Sequence, residues 1–361
     1  MKIKRQKSEG RRQKCTATIL PILLLLAVTA SAQPRAPRVV EAETARLRFQ
    51  VSDVPQTGTV AEQVRHCLKR FSSPVVALRA FVVGQENAAA VRDAIEAEFK
   101  KRRHSLPALS IIIVGALPQQ NARVQIEAVI TAKQSVNPNG IAFVSGQPAS
   151  LEQPIARVAP LIEKSLSALR TAHQAIKAQP ADVLRATCFV SSLNDVGEVK
   201  QMMRREYPQA ALSVIQLQQT ADRSLVECET VTRLQTPVKE GLRFLNPPSL
   251  AASPNYSHLA LIGARRLVFS ELVVAASARE ADAVHAFAGL EQALTGAGSS
   301  IKQVAMSKLY PITQTGSELV RKVRFDFYDK TRPPASTLLI FEGLPTASAS
   351  FAVAVIAVKP E

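Results

Sequence analysis

Tryptophan is absent from this chain of 361 residues, tyrosine occurs only four times, and aromatics together make up 5%. Cores built with so few rings must rest on Ala, Val, Leu and Ile, and the apolar share of 47% is ordinary for packed domains. Cysteine is scarce and shows no Cys-x-x-Cys spacing, which argues against a disulfide framework or a zinc site. His66, His104, His173, His258 and His285 are scattered, with no His-Glu-x-x-His pair, so a zinc hydrolase has no basis and no metal is expected. Neither a Walker A loop nor a dinucleotide-binding Gly-rich turn occurs, and no cofactor is implied. No Gly-x-Ser-x-Gly elbow announces a serine nucleophile.

What is present begins with a processing segment. Lys2, Lys4, Arg5, Lys7, Arg11, Arg12 and Lys14 form a basic region, Ile19 to Val28 a short apolar run, and Ala30-Ser31-Ala32 a small-residue cleavage signature. Residues 1–32 therefore read as a signal peptide and the protein as exported, periplasmic or secreted. The other reading, an uncleaved anchor, meets an apolar run shorter than the roughly 20 residues a membrane span needs. No stable membrane span is expected after cleavage. Arg11-Arg12 is not followed by a twin-arginine pattern, and Cys15 precedes the apolar run where a lipoprotein would end it. Cleavage leaves 38 basic residues against 28 acidic ones, a balance of +10. It also leaves Cys67, Cys188 and Cys228, which read as buried inert thiols; one disulfide plus a free thiol is the other arrangement open to them.

The dominant feature is repetition. Phe81 and Phe99, Phe189 and Tyr207, and Tyr310 and Tyr328 each lie 18 positions apart, from the end of a strand-like run to the end of a helix-like one. Each is followed by a Pro-marked break, an apolar β-branched run, a turn and a last alternating strand, so one αβ module is written three times. The modules are assigned to residues 41–133, 137–235 and 245–359. In the second, Ile141 to Ser145 and Val183 to Val190 read as strands. Asn194-Asp195 reads as the N-cap of a helix carrying Val199, Met203 and Tyr207, and Ala211 to Leu217 and Leu225 to Leu234 complete the sheet. The first module gives Val75 to Val83, a helix with Val91, Ile95 and Phe99, then Ile111 to Val114 and Val124 to Ile130. The third gives Val304 to Tyr310, Leu338 to Phe341 and Phe351 to Val358, with its helix face slipped by one residue to Leu319, Val323 and Phe327. The fold class is α+β, each module a mixed sheet with two helices on one face; the other face is apolar enough to need a partner.

In the second module, Phe143-Val144-Ser145-Gly146-Gln147, Asp182 to Val190, Leu193-Asn194-Asp195 and Val226-Glu227-Cys228-Glu229-Thr230 together resemble the RidA (YjgF) family of enamine/imine deaminase-like proteins. Module three matches through Val268-Phe269-Ser270-Glu271 and Gly343-Leu344-Pro345. Module one matches through Ala116-Leu117-Pro118 and Gln125-Ile126-Glu127-Ala128, without a clear Ser-Gly-Gln strand. The resemblance implies a chorismate-mutase-like fold whose trimers hold ligands in clefts between subunits. Three tandem copies then imply an intramolecular, monomeric pseudo-trimer, because fusion turns assembly into an event of high effective concentration.

The family's deaminases grip the substrate carboxylate with an arginine just past a Pro-Ala pair, a task suited to a planar guanidinium. The matching positions here are Leu109, Leu212 and Ser336, and none keeps the arginine. A family glutamate on the last strand matches Gln125, Glu227 and Ala352, so only module two keeps it. Ser145, Gly146, Gln147 and Ser270 are the candidate ligand-binding residues and Glu227 the candidate catalytic one. Glu227 reads either as a general base in a confined pocket or as an exposed residue of an alternating strand. The expected function is binding of a small, largely apolar or weakly polar metabolite at inter-module clefts without standard deaminase activity. The alternatives are an enamine/imine deaminase of the 2-iminobutanoate/2-iminopropanoate type with a relocated arginine, Arg332 or Arg223, and a structural or protein-binding scaffold. Basic clusters at Lys100 to Arg103, Arg204-Arg205 and Arg321, Lys322, Arg324 and Lys330 read as helix-end cations. Without stacking aromatics they do not suggest specific nucleic-acid binding.

Overall fold

The computed structural model describes residues 36–71 and 74–361; the expected signal peptide, residues 1–32, and Cys15 within it lie outside the described residues. Residues 36–361 form one compact unit. The first third comprises β1 (Val39–Glu43), β2 (Leu47–Val51), α1 (Val60–Lys69), β3 (Val75–Val83), α2 (Asn87–Lys101), β4 (Ala108–Val114) and β5 (Val124–Thr131). The second comprises β6 (Ile141–Leu151), α3 (Ala159–Ala175), β7 (Val183–Val190), α4 (Val196–Glu206), β8 (Ala211–Gln216) and β9 (Ser224–Arg233). The last opens with β10 (Leu242–Leu245), β11 (Leu259–Ile262), β12 (Arg266–Ser270) and β13 (Val273–Ala275), then α5 (Glu280–Gly296). It closes with β14 (Val304–Pro311), α6 (Gln314–Phe327), β15 (Ala335–Leu338) and β16 (Phe351–Lys359). The described residues thus build an α+β protein of three mixed sheets and six helices.

Each sheet contains the same four-strand order: β2-β5-β3-β4, β6-β9-β7-β8 and β12-β16-β14-β15. In each, the last pair is parallel and the other two are antiparallel. The parallel pair needs a crossover, which α2, α4 and α6 provide. Even the irregularities repeat, with register shifts between Val75 and Ala77, Val183 and Arg185, and Val304 and Met306.

Two hairpins are divided between sheets. β1 and β2 are joined by the single turn Thr44–Arg46, yet β1 pairs with β12 and β2 with β5. β11 and β12 are separated only by residues 263–265, yet β11 pairs with β6 and β12 with β16. The second of these turns passes close to neighbouring backbone: a Cβ at Gly263 would sit 2.3 Å from the Val238 carbonyl oxygen.

Strand alternation sends one face of each sheet to its helices and the other to the remaining sheets. Val91, Ile95 and Phe99 of α2 pack on Leu78, Ala80 and Val82. Val199, Met203 and Tyr207 pack on Ala186, Cys188 and Val190. On α6 the register does not slip as expected: Val320 occupies the place of Val91 and Val199 and is fully buried. The next position is Arg324, buried with its guanidinium over the Phe325 ring, and Val323 and half-buried Phe327 fill the apolar face around it.

Three further expectations need correction. The strand placed at Leu338 to Phe341 begins directly after Pro333-Pro334 and ends at Leu338; Phe341 instead turns into the space between sheets, its N–H donating to Pro311 O at 2.9 Å. Asp195 does not cap α4 with its side chain; its carboxylate accepts from the Ala159 N–H at 2.8 Å and so caps α3. Cys188 and Cys228 are not free thiols. They face each other across β7 and β9, Cα atoms 4.1 Å apart, and form a disulfide, leaving Cys67 as the free cysteine among the described residues.

Candidate functional site

The inner faces of the three sheets meet in layers. At one end lies an apolar layer with Phe49, Phe143, Leu267 and Met306. At the other lie Phe81, Phe189, Tyr310 and Phe341, with edge-to-face ring contacts from Phe81 to Phe189, Phe189 to Phe341 and Tyr310 to Phe341. Between them is a buried charged layer. Arg79, Thr187 and Lys308 each stand two residues before their module's aromatic anchor, and Glu127 and Glu229 stand opposite the first two across the ladder. The position opposite Lys308 is Ala354.

The charges are interlinked across modules. Arg79 donates to Glu127 Oε2 from Nη2 at 2.5 Å and Nε at 2.9 Å, and Nη2 reaches Glu229 Oε1 at 2.7 Å. Glu127 Oε1 also accepts from Thr187 at 2.6 Å, and Arg185 Nη1 lies 3.5 Å from Glu127 Oε2. Glu229 accepts from Lys308 Nζ and, at 2.5 Å, from Thr337. Burial alone would raise both carboxyls, but Arg79, Arg185 and Lys308 hold Glu127 down at about 2 and push Glu229 well below its ordinary range. Burial, joined by the charges of Arg79 and Arg185, brings Lys308 down to about 7 against the pull of Glu229.

Of the sequence-derived site residues, Ser145, Gly146, Gln147 and Glu227 gather at the boundary between the second and third sheets, and Ser270 lies apart from them. Ser145 is wholly buried; its hydroxyl donates to Ser257 O at 2.6 Å and accepts from the Ser336 N–H at 2.8 Å. Gln147 Nε2 donates to Ser145 O at 3.0 Å and lies 3.3 Å from His258 Nδ1. These polar groups are thus engaged in holding strands together. Gly146 is where the backbone approaches Glu227 most closely: a Cβ there would lie 1.8 Å from Glu227 Oε1. Glu227 is 7% exposed and makes no side-chain hydrogen bond among the described residues. Burial, and then the charge of Glu229, raises its carboxyl to about 8, with Arg321 opposing. It is therefore mostly protonated at neutral pH, while remaining able to lose its proton.

Ser336, at the position matched to the family arginine, is buried beside Ser145, and its hydroxyl has no hydrogen-bond partner. Leu212 lines a cleft of about 730 Å³ with Gln125, Asp53, Lys200, Arg204 and Arg205. Leu109 packs against the helices of the first sheet while its carbonyl accepts from the Leu272 N–H at 3.0 Å. Each position therefore borders the next sheet in turn. Ser270 is turned inward and accepts from the Val355 N–H at 2.9 Å. A second open cleft, about 720 Å³, is lined by Arg223, Arg321, Glu318, Thr313 and Gln218. Arg332 points away to pair with Asp329 at the surface.

Two sets of residues were not read as site residues from the sequence. The charged layer is signalled by the residue two places before each aromatic anchor, and the cleft cations Lys200 and Arg321 stand 11 residues after theirs. Among the described residues no helix is long and apolar enough to cross a membrane, and no three metal-ligating side chains cluster.

No family model matches the sequence, and no curated protein matches it. Solved structures similar to it include a member of the YjgF/YER057c/UK114 family from Mycobacterium tuberculosis, at 19% identity and a TM-score of 0.24, covering 26% of this chain and 78% of that one. Another is the Rid-family protein YyfB from Yersinia pestis, at 17% identity and a TM-score of 0.29, covering 33% of this chain and 99% of that one. The chain is also similar to E. coli TdcF with bound serine, at 16% identity and a TM-score of 0.21, over 27% of this chain and 89% of that one.

Proposed function

We propose that the exported chain folds as an intramolecular pseudo-trimer of three RidA-like modules and binds small metabolites in the clefts between successive modules, without standard deaminase turnover. The repeated strand order and the cyclic placement of Leu109, Leu212 and Ser336 at module boundaries support the assembly. The Cys188–Cys228 bond is consistent with an oxidising compartment. The observation that carries the functional reading is Ser336. By its place after Pro334-Ala335 it matches the family's carboxylate-gripping arginine; its backbone N–H donates to Ser145, and its own hydroxyl is without a partner. With Glu227 mostly protonated and, among the described residues, no guanidinium hydrogen-bonded to Ser336, this buried boundary suits a neutral, weakly polar group better than an anionic imine. Neither residue lines the open cleft of Arg223 and Arg321.

The test is hydrolysis of freshly generated 2-iminopropanoate by the mature protein, beside Glu227→Ala, together with thermal stabilisation by a panel of small metabolites. Stabilisation without turnover is expected. Turnover that Glu227→Ala abolishes would overturn the reading; absence of both effects would favour a scaffold.

A second reading, imine hydrolysis with a relocated cation, is favoured by Arg321, whose charge reaches Glu227 from α6. It requires turnover that falls at least tenfold in Arg321→Gln, with most of the change in KM.

A further inference from the structure

The charged layer described above has an unequal count: Arg79, Arg185 and Lys308 face Glu127 and Glu229. The third place in the pattern of acids belongs to Ala354, opposite Lys308. Its short side chain borders a small cavity of about 50 Å³, which Arg79, Arg185, Lys308, Glu127, Ser110 and Tyr310 also line. Water claims roughly 30 Å³ in the liquid, so the space admits one or two species of that size. Two donors of residues lining this cavity, Arg79 Nη1 and the Tyr310 hydroxyl, lack a hydrogen bond of good geometry, although the two side chains lie within reach of each other. Both side chains are more than nine-tenths buried. Removing a charge from water without a partner is costly, and a buried group in that position is paired or neutralised.

We infer that this cavity binds a small monovalent anion of halide size, which completes the layer where Ala354 replaces the third carboxylate. The ligand is held by Arg79 Nη1, Lys308 Nζ and the Tyr310 hydroxyl. Tyr310 keeps its proton for this purpose: burial raises the phenol to about 12 despite the nearby Arg79. The cavity lies where the first and third modules meet, with Ser270 on its wall, and shares no lining residue with the two open clefts. The competing way to balance the layer is loss of the Lys308 proton, which burial and the two arginines favour by lowering that group to about 7.

The test uses the mature full-length chain. Melting temperature is compared in about 0.1 M chloride and about 0.1 M gluconate, an anion too large for the cavity, at matched ionic strength and slightly acidic pH. Preferential binding to the folded state raises stability by mass action, and a rise of at least about 2 °C in chloride is expected. Crystals grown in bromide should show one anomalous peak within hydrogen-bonding reach of Arg79 Nη1. In Lys308→Met the count becomes even, and both the chloride response and the peak should disappear. Equal melting of the wild type in the two salts, with no bromide in the cavity, overturns the inference. So does a chloride response that survives in Lys308→Met.

Discussion

Replacing Glu227 by glutamine makes the sharpest test of the site's electrostatics. The carboxyl has an ordinary value of 4.5 in the unfolded chain and about 8 in the folded protein. Below 4.5 both states hold the proton, and the site's contribution to stability is fully present. Between the two values only the unfolded chain releases it, so stability falls as pH rises; above about 8 the loss is complete. At 1.36 kcal/mol per pH unit, the decline between about pH 5 and about pH 9 comes to roughly 4 kcal/mol. Glutamine has nearly the same shape and cannot titrate, so the variant should lack this decline. Urea unfolding of both proteins at the two pH values isolates the site, because Lys308 and the other titrating groups cancel in the double difference. Parallel pH profiles, agreeing within about 1 kcal/mol, would refute the reasoning and mean that Glu227 reaches water or a partner.

Other perturbations have defined outcomes. Replacing Cys188 and Cys228 together by alanine opens a loop of 40-residue separation and should cost about 2–4 kcal/mol, read from denaturant midpoints with and without reductant. Glu127 is held below its unfolded value, so its stabilising effect is present above 4.5 and lost as pH falls toward about 2. Glu127→Gln should therefore cost about 3 kcal/mol at neutral pH and flatten the acid limb of the stability profile followed by circular dichroism. Gly146→Ala places a Cβ against the Glu227 carboxyl, and should destabilise by about 1–3 kcal/mol while weakening the pH response of Glu227.

Much of the fold was legible because the anchors are spaced identically and lie on regular elements. β3 runs over the Val75 to Val83 expected, and Val91, Ile95 and Phe99 form the buried face of α2. Periodicity failed where another force took over. Arg324 interrupts the apolar face of α6, so the apparent slip in the pattern is a substituted position in an unshifted register. The α1 helix is signalled locally by Thr59 and Glu62, which cap it reciprocally. The pairing of Cys188 with Cys228 depends on the β7–β9 register, which no spacing rule supplies. At the candidate site, Ser145, Gln147 and Glu227 were recognisable as a set. That the first two are engaged in strand contacts while Glu227 is left without a partner depends on Ser257, Ser336 and His258, which are more than 100 residues away in the chain.

The divided hairpins bear on how the protein is made. Val39–Glu43 has its ladder partner at Arg266–Ser270, so the first ribbon synthesised waits for more than two hundred residues before it can be paired. Closing so long a loop is slow, though its entropic cost grows only gradually with length. Excising any one repeat would strip a neighbour of an edge, which makes the three inseparable as folding units. The clasp between β1 and β12 therefore joins two of the sheets only after about three-quarters of the polypeptide has emerged.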